Sequence, residues 1–302
     1  MKAQRINTSE SVSLEEFISV YEEMDLDTTE PEELFRACEI LTKLSNNSTF
    51  IKDLLIKGVE DSFDEQSDLS GYTAQSLILN KISSKKNYFL RANFWPSLEH
   101  SLTRVSGPQT FYYNYPHDHN FNFLTVGYFG PGYDSIIYNY DYNSVDGFSG
   151  EDCDLKYKGI VSLNKGDTLL YEAHKDVHSQ LPPTSLSISL NIMQYIFGTN
   201  QKHQYAFNIE KSQISEVLNT RRDVGIPTLA LLASLNRTRC ESLFVEVAKV
   251  HPSIFMRVGA IQALISSAED MNLIEDVLQL GMDSNSRVLR EWTKEYAAKI
   301  AL

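Results

Sequence analysis

Four of the seven histidines in this 302-residue chain fall in two short groups, His117 with His119 and His174 with His178. Side chains alternate across an extended strand, so an i, i+2 pair within an aromatic, β-branched run puts both imidazoles on one face. A third imidazole from a neighbouring strand completes a set able to hold a transition metal, and His178 is the candidate. Gly166-Asp167 opens a short apolar strand, Thr168 to Glu172, and a loop then delivers His178. Asp118 must face away from the two ligands in a regular strand. A facial triad of the His-x-acid kind lacks its carboxylate, because position 119 is His, and stays a lesser alternative.

Other side chains are placed around this set by the same alternation. Phe121, Phe123 and Thr125 share the face of His117 and His119, which predicts a partly aromatic, water-poor lining; the same residues also satisfy an ordinary packed core. Tyr171 and Glu172 end the strand before His178. Glu172 is either a fourth ligand, turned inward, or an acceptor for an imidazole N–H, and Tyr171 is the tyrosine best placed to offer a hydroxyl. His174 reads as a loop residue at the pocket mouth. Arg91 interrupts an apolar strand; pointing inward it can pair with a substrate carboxylate, pointing outward it is surface. Ser187, Ser189 and Asn191 share one face of the last strand, either solvent or pocket.

Stepping outward along the chain, residues 1 to 12 are polar and expected to fray. Ser13 caps a helix carrying Phe17, Val20 and Tyr21, a second fits Pro31 to Leu44, and a third starts at Ser48. From about residue 86, aromatic and β-branched runs punctuated by Gly, Pro and Asn predict strands: Tyr88 to Trp95, Thr110 to Tyr115, His117 to Tyr128, Ser135 to Tyr142, Asp154 to Val161, Thr168 to Glu172 and Ser185 to Tyr195. Beyond about residue 200 the period is helical again, in short helices from Ile214 onward. Two or three of these, around Arg257–Leu264 and Asp283–Arg290, resemble HEAT-type hairpins. The division expected is 1–85, an N-terminal helical segment; 86–200, a β-barrel with the metal site; and 201–302, a C-terminal helical region.

The bulk numbers exclude several classes. With 27 Lys and Arg against 40 Asp and Glu, net charge -13, neither nucleic acid nor an anionic membrane is a fitting partner. Cys38, Cys153 and Cys240 form no CxxC pair, which disfavours a disulfide framework or zinc knuckle. The N-terminus lacks an apolar signal core and no segment reaches the length of a membrane span, so a cytoplasmic protein is expected.

The His-x-His pair, followed by a Gly-Asp turn, a short apolar strand and a single His, resembles the two metal-binding motifs of the cupin superfamily over about residues 86 to 197. The resemblance implies an α+β chain in which an antiparallel jelly-roll barrel is flanked by helices, with metal ligands His117, His119 and His178. Many cupins carry a Glu separated from the second His by three or four residues; here Phe123 and Leu124 stand there. What remains is similar to the three-His sites of thiol dioxygenases and related oxygenases, and implies Fe(II), dioxygen and a small or amino-acid-like substrate, with Tyr171, Arg91 and Glu172 around the reaction. Two other readings stand beside it: an interaction protein whose helices dock a protein or peptide, or dimerise, and a non-redox isomerase or lyase.

Overall fold

The computed structural model describes residues 1–60, 73–80, 86–195, 203–218, 225–268 and 271–300, and the side chains of these except 236–239. In chain order the elements are β1 (Lys2–Arg5), α1 (Leu14–Glu23), α2 (Pro31–Phe35), α3 (Cys38–Asn46), α4 (Phe50–Glu60), β2 (Ser76–Ile78), β3 (Tyr88–Trp95), α5 (Ser101–Ser106), β4 (Phe123–Phe129), β5 (Tyr133–Asn139), β6 (Lys156–Leu163), β7 (Asp167–Tyr171), β8 (Asp176–Gln180), β9 (Ser187–Gln194), β10 (Gln204–Asn208), β11 (Gln213–Leu218), α6 (Gly225–Val250), α7 (Ile254–Ser266), α8 (Met271–Met282) and α9 (Arg287–Ile300). They form two compact units, Met1–Tyr142 with Cys153–Ser212, and Asn143–Asp152 with Gln213–Leu302.

The first unit contains an antiparallel six-stranded sheet in the order β1-β7-β4-β9-β3-β2 and a three-stranded sheet, β6-β5-β8. Its strands have two apolar faces, and each face has its own partner. On one, Leu90, Leu124, Leu170, Leu190 and Ile192 are fully buried against Phe17, Tyr21, Leu34 and Leu41 of the N-terminal helices. On the other, Trp95, Phe123, Leu169, Tyr171 and Met193 cluster with Tyr133, Ile137 and Leu163 of the smaller sheet. The helices are therefore a layer of this unit, and the interior between the sheets is where inward residues meet. Among the described residues the strands form two antiparallel sheets that share this interior and no closed barrel.

Several expected boundaries shift for local reasons. Residues 2–5, expected to fray, pair with β7 as β1, with Lys2 opposite Leu170. The helix expected over Pro31 to Leu44 is broken into α2 and α3. No regular strand covers 110–122: Tyr112 and Asn114 have φ of 55°, outside strand geometry, and Pro116 offers no N–H.

In the second unit Ile214–Leu218, expected as the first of the short helices, lies in strand β11, and in place of several short helices α6 runs unbroken, since residues 236–241 hold neither Gly nor Pro to stop it. The helices pack around Leu229, Phe244, Ile261, Leu264 and Leu289. They are 26, 13, 12 and 14 residues long. Such unequal lengths lend no support to the HEAT-like repeat. No helix among the described residues is long and apolar enough to cross a membrane.

Candidate metal centre

His178 lies within β8 rather than in a loop, and residues 116–118 run beside it as one extended stretch. His117 and His178 exchange both backbone hydrogen bonds, at 3.0 and 2.9 Å. On the other side the Asp118 N–H donates to the Tyr205 carbonyl at 3.0 Å and the Phe207 N–H to that of Pro116 at 2.9 Å. This local ladder supplies the alternation that a longer strand was expected to supply. His119 is held by the backbone of the turn between β7 and β8, where the His174 N–H donates to its carbonyl at 2.8 Å.

The three imidazoles converge through their Nε2 atoms, His119 to His178 at 3.2 Å and His178 to His117 at 3.3 Å. His117 Nδ1 lies 2.7 Å from the Tyr115 carbonyl oxygen, to which it donates, leaving Nε2 with a free lone pair. The Gln204 amide lies 3.2 Å from His119 Nδ1; with its oxygen turned to the ring it accepts Nδ1–H and frees Nε2 in the same way. Burial lowers the proton affinity of His117, and holds those of His119 and His178 well below the usual range, with the neighbouring imidazoles adding to it. With His117 Nε2 and His119 Nε2 free to accept, and His178 Nε2 3.3 and 3.2 Å from them, the three converging nitrogens form a donor set that fits a metal, and imidazole suits iron, zinc, copper or nickel.

The walls are aromatic. Phe121 and Phe123 lie 4.7 and 5.1 Å from the His119 ring, and Tyr171 stacks on Phe123 at 4.6 Å while presenting its face or edge to His178 at 4.6 Å. Burial raises the Tyr171 phenol, which keeps its proton and reaches the Ser135 hydroxyl at 3.4 Å. Phe123 therefore packs on the centre where many cupins have a carboxylate, and Leu124 faces the helices.

The remaining candidates divide. Asp118 points away from the histidines, as alternation requires: its carboxylate accepts from the Tyr140 hydroxyl and the Tyr205 N–H, each at 2.6 Å, and burial pushes it up to about 7. Glu172 does not turn inward as a ligand; it is drawn to Lys175 at 2.6 Å and to the Met1 amino group at 3.2 Å. His174 is a turn residue with φ of 58°, packed on Tyr142 at 4.4 Å, outside the three-histidine group. Arg91 points inward, is half-buried, and burial brings its guanidinium down to about 10. Ser187, Ser189 and Asn191 are buried, so their polar face belongs to the interior. Gln204, Tyr140 and Tyr205 were not apparent from the sequence, because they meet the His-x-His segment only through the fold.

No family model and no curated protein matches the chain. Solved structures with partial likeness include the DMSP lyase DddQ from Ruegeria pomeroyi, 8% identical over 70% of this chain and 83% of that one, TM-score 0.29. A cupin protein from Bacteroides fragilis is 15% identical over 45% of this chain and 92% of that one, TM-score 0.25. Hydroxypropylphosphonic acid epoxidase from S. wedmorenis is 8% identical over 39% of this chain and 49% of that one, TM-score 0.22. The chain spans about half the length of some of these proteins, 46% for a DMSP lyase structure. At such identities and scores the likeness carries no activity across.

Proposed function

We propose that this chain is an Fe(II)- and dioxygen-dependent oxidoreductase acting on a small or amino-acid-like substrate between its two sheets. The observation that carries the reading is the convergence of three imidazole Nε2 atoms, two of them on buried histidines, with no carboxylate beside them among the described residues. Three neutral donors leave the full charge of a divalent ion for substrate and oxygen to share. When bound, iron supplies the redox centre and the open coordination positions at which the two reactants meet.

The protein's own residues have separate tasks. His117, His119 and His178 hold the ion, and the Tyr115 carbonyl and Gln204 amide fix the rings of His117 and His119. Phe121, Phe123 and Tyr171 exclude water from one side, which suppresses side reactions of reactive oxygen species. Tyr171 keeps its phenolic proton, which it directs to the Ser135 hydroxyl. Glu172, in its outer ion pairs, takes no part in this scheme.

The test is iron content of anaerobically prepared wild type beside His119→Ala, with oxygen uptake over a panel of metabolites and amino acids. About one iron per chain in the wild type, its loss in the variant, and substrate-dependent oxygen uptake are expected. Equal iron in both proteins overturns the site; iron without oxygen uptake on any panel member overturns the oxidoreductase.

A further inference from the structure

The interior beyond the histidines is polar, and strand register shows how it is arranged. Phe89, Met193, Phe123 and Tyr171 are partners across β3, β9, β4 and β7. Phe123 touches His119 and Tyr171 touches His178, so this row borders the centre. Two residues further along, about 7 Å at the strand rise, Arg91, Asn191 and Thr125 form the next row. Asn93 and Ser189 form the row after it, and the Trp95 indole donates to the Ser189 hydroxyl at 3.0 Å. Tyr133, from the facing sheet, sits beside Arg91, Thr125 and Ser189.

Arg91 has no carboxylate partner among the described residues, and its buried Nε has no hydrogen bond. Asn93 Oδ1 and Gln180 Oε1 are likewise buried without a partner. A guanidinium whose Nε is buried without a partner is costly, since burial penalises a charge that no counter-charge or hydrogen bond compensates. The centre increases the imbalance. Its ligands are neutral, Asp118 is turned away toward Tyr140 and Tyr205, and Glu172 is held by Lys175. A divalent ion with Arg91 then gives three positive charges facing one interior without a protein anion among the described residues.

We propose that the substrate supplies the missing charge: a small organic acid whose carboxylate or phosphonate is held by Arg91, one row from the histidines, with further polar groups of the substrate meeting Asn93 and Gln180. This inference rests on the reading of the site as a metal centre, but Arg91 is tested separately from the metal. The planar fork of arginine favours a two-pronged hydrogen bond to an oxyanion over any contact to a neutral amide.

The experiment measures binding by calorimetry and melting by intrinsic fluorescence, on the full chain, metal-free and Fe(II)-loaded without oxygen. The probes are two- to five-carbon hydroxy and amino acids, the corresponding alkylphosphonates, and the neutral amide of each carboxylic acid. At least one acid is expected to bind the wild type and raise its melting temperature while its amide does not, and the carboxylate and phosphonate arms identify the oxyanion. Arg91→Gln is expected to weaken that acid about tenfold or more, and Arg91→Lys to restore part of the loss. Should Arg91→Gln fail to fold, Arg91→Lys must still weaken the acid relative to wild type. Equal binding of acid and amide, unaltered affinity in the variants, or no binding by any acid overturns the inference. Acid binding by metal-free wild type that is lost in Arg91→Gln sustains it even where the iron test fails. Iron retention without preference for acids sustains the metal centre alone.

Discussion

At the scale of single residues, the site depends on ring orientation as much as on ligand count. Gln204 reaches His119 Nδ1 from β10, 85 positions away in the chain. Gln204→Leu should preserve the fold and weaken metal binding about 10- to 100-fold, the usual effect of losing a group that orients a ligand. Competition with a chelator of known affinity measures it, and unchanged affinity would show that packing alone orients His119. The ligands themselves were legible because alternation is a property of three consecutive residues, 117 to 119. His178 was legible through the Gly-Asp turn before β7. Gln204, Tyr140 and Tyr205 were not, since nothing in a run of sequence states which distant strand lies opposite. Arg91 was half legible: its misfit in an apolar strand marked it, but only the packing of both sheet faces decided that it points inward. Glu172 was misjudged because strand phase cannot anticipate that Lys175 draws the carboxylate outward.

At the scale of elements, the sheet is specified where the chain has strong local signals, and β3 coincides with the run Tyr88–Trp95. Helix α1 likewise starts at Ser13, whose hydroxyl accepts from the Glu16 N–H while the Glu16 carboxylate accepts from the Ser13 N–H, a reciprocal cap. Signals failed where tertiary contact overrides propensity, as when residues 2–5 become an edge strand beside β7. Two substitutions weigh these elements. Phe17→Ala on α1 removes a fully buried ring between helices and sheet and should cost about 3–5 kcal/mol. Gly127→Ala acts differently: a Cβ at this point of β4, next to the register shift, overlaps the Asn164 carbonyl. Backbone must move, and a loss of about 1–3 kcal/mol is expected. Chemical denaturation of both variants measures these costs, and a Gly127→Ala protein as stable as wild type would show that the turn at 164–166 yields freely.

At the scale of the whole molecule, the two units have separate cores, and every residue of the metal centre belongs to the first. Ions that bind only the folded site stabilise it by about 4 kcal/mol at a thousand times their dissociation constant, so metal should raise the melting of the first unit. Acid acts in the opposite direction, and the sign follows from the protons bound in each state. Unfolded, each histidine takes up a proton below about pH 6.5, whereas in the folded chain burial depresses the proton affinity of His117 and, more strongly, of His119 and His178. Their contribution to stability is therefore intact above that pH and declines as pH falls through it. Asp118 opposes this: its folded carboxyl, at about 7, is protonated below that pH while the unfolded one remains ionised down to about 4, so it favours folding in the same range. The unfolded chain therefore gains more protons from the histidines than the folded one as pH falls below about 6.5, with Asp118 offsetting part of the difference, so stability of the metal-free protein declines toward acid pH. Removing one ring, as His119→Phe, should make that decline shallower. Melting curves of the metal-free protein and this variant between pH 7.5 and 5 test both expectations. A wild-type curve flat across that range would mean that the three imidazoles already carry protons in the folded state, which is incompatible with a centre built to hold a cation.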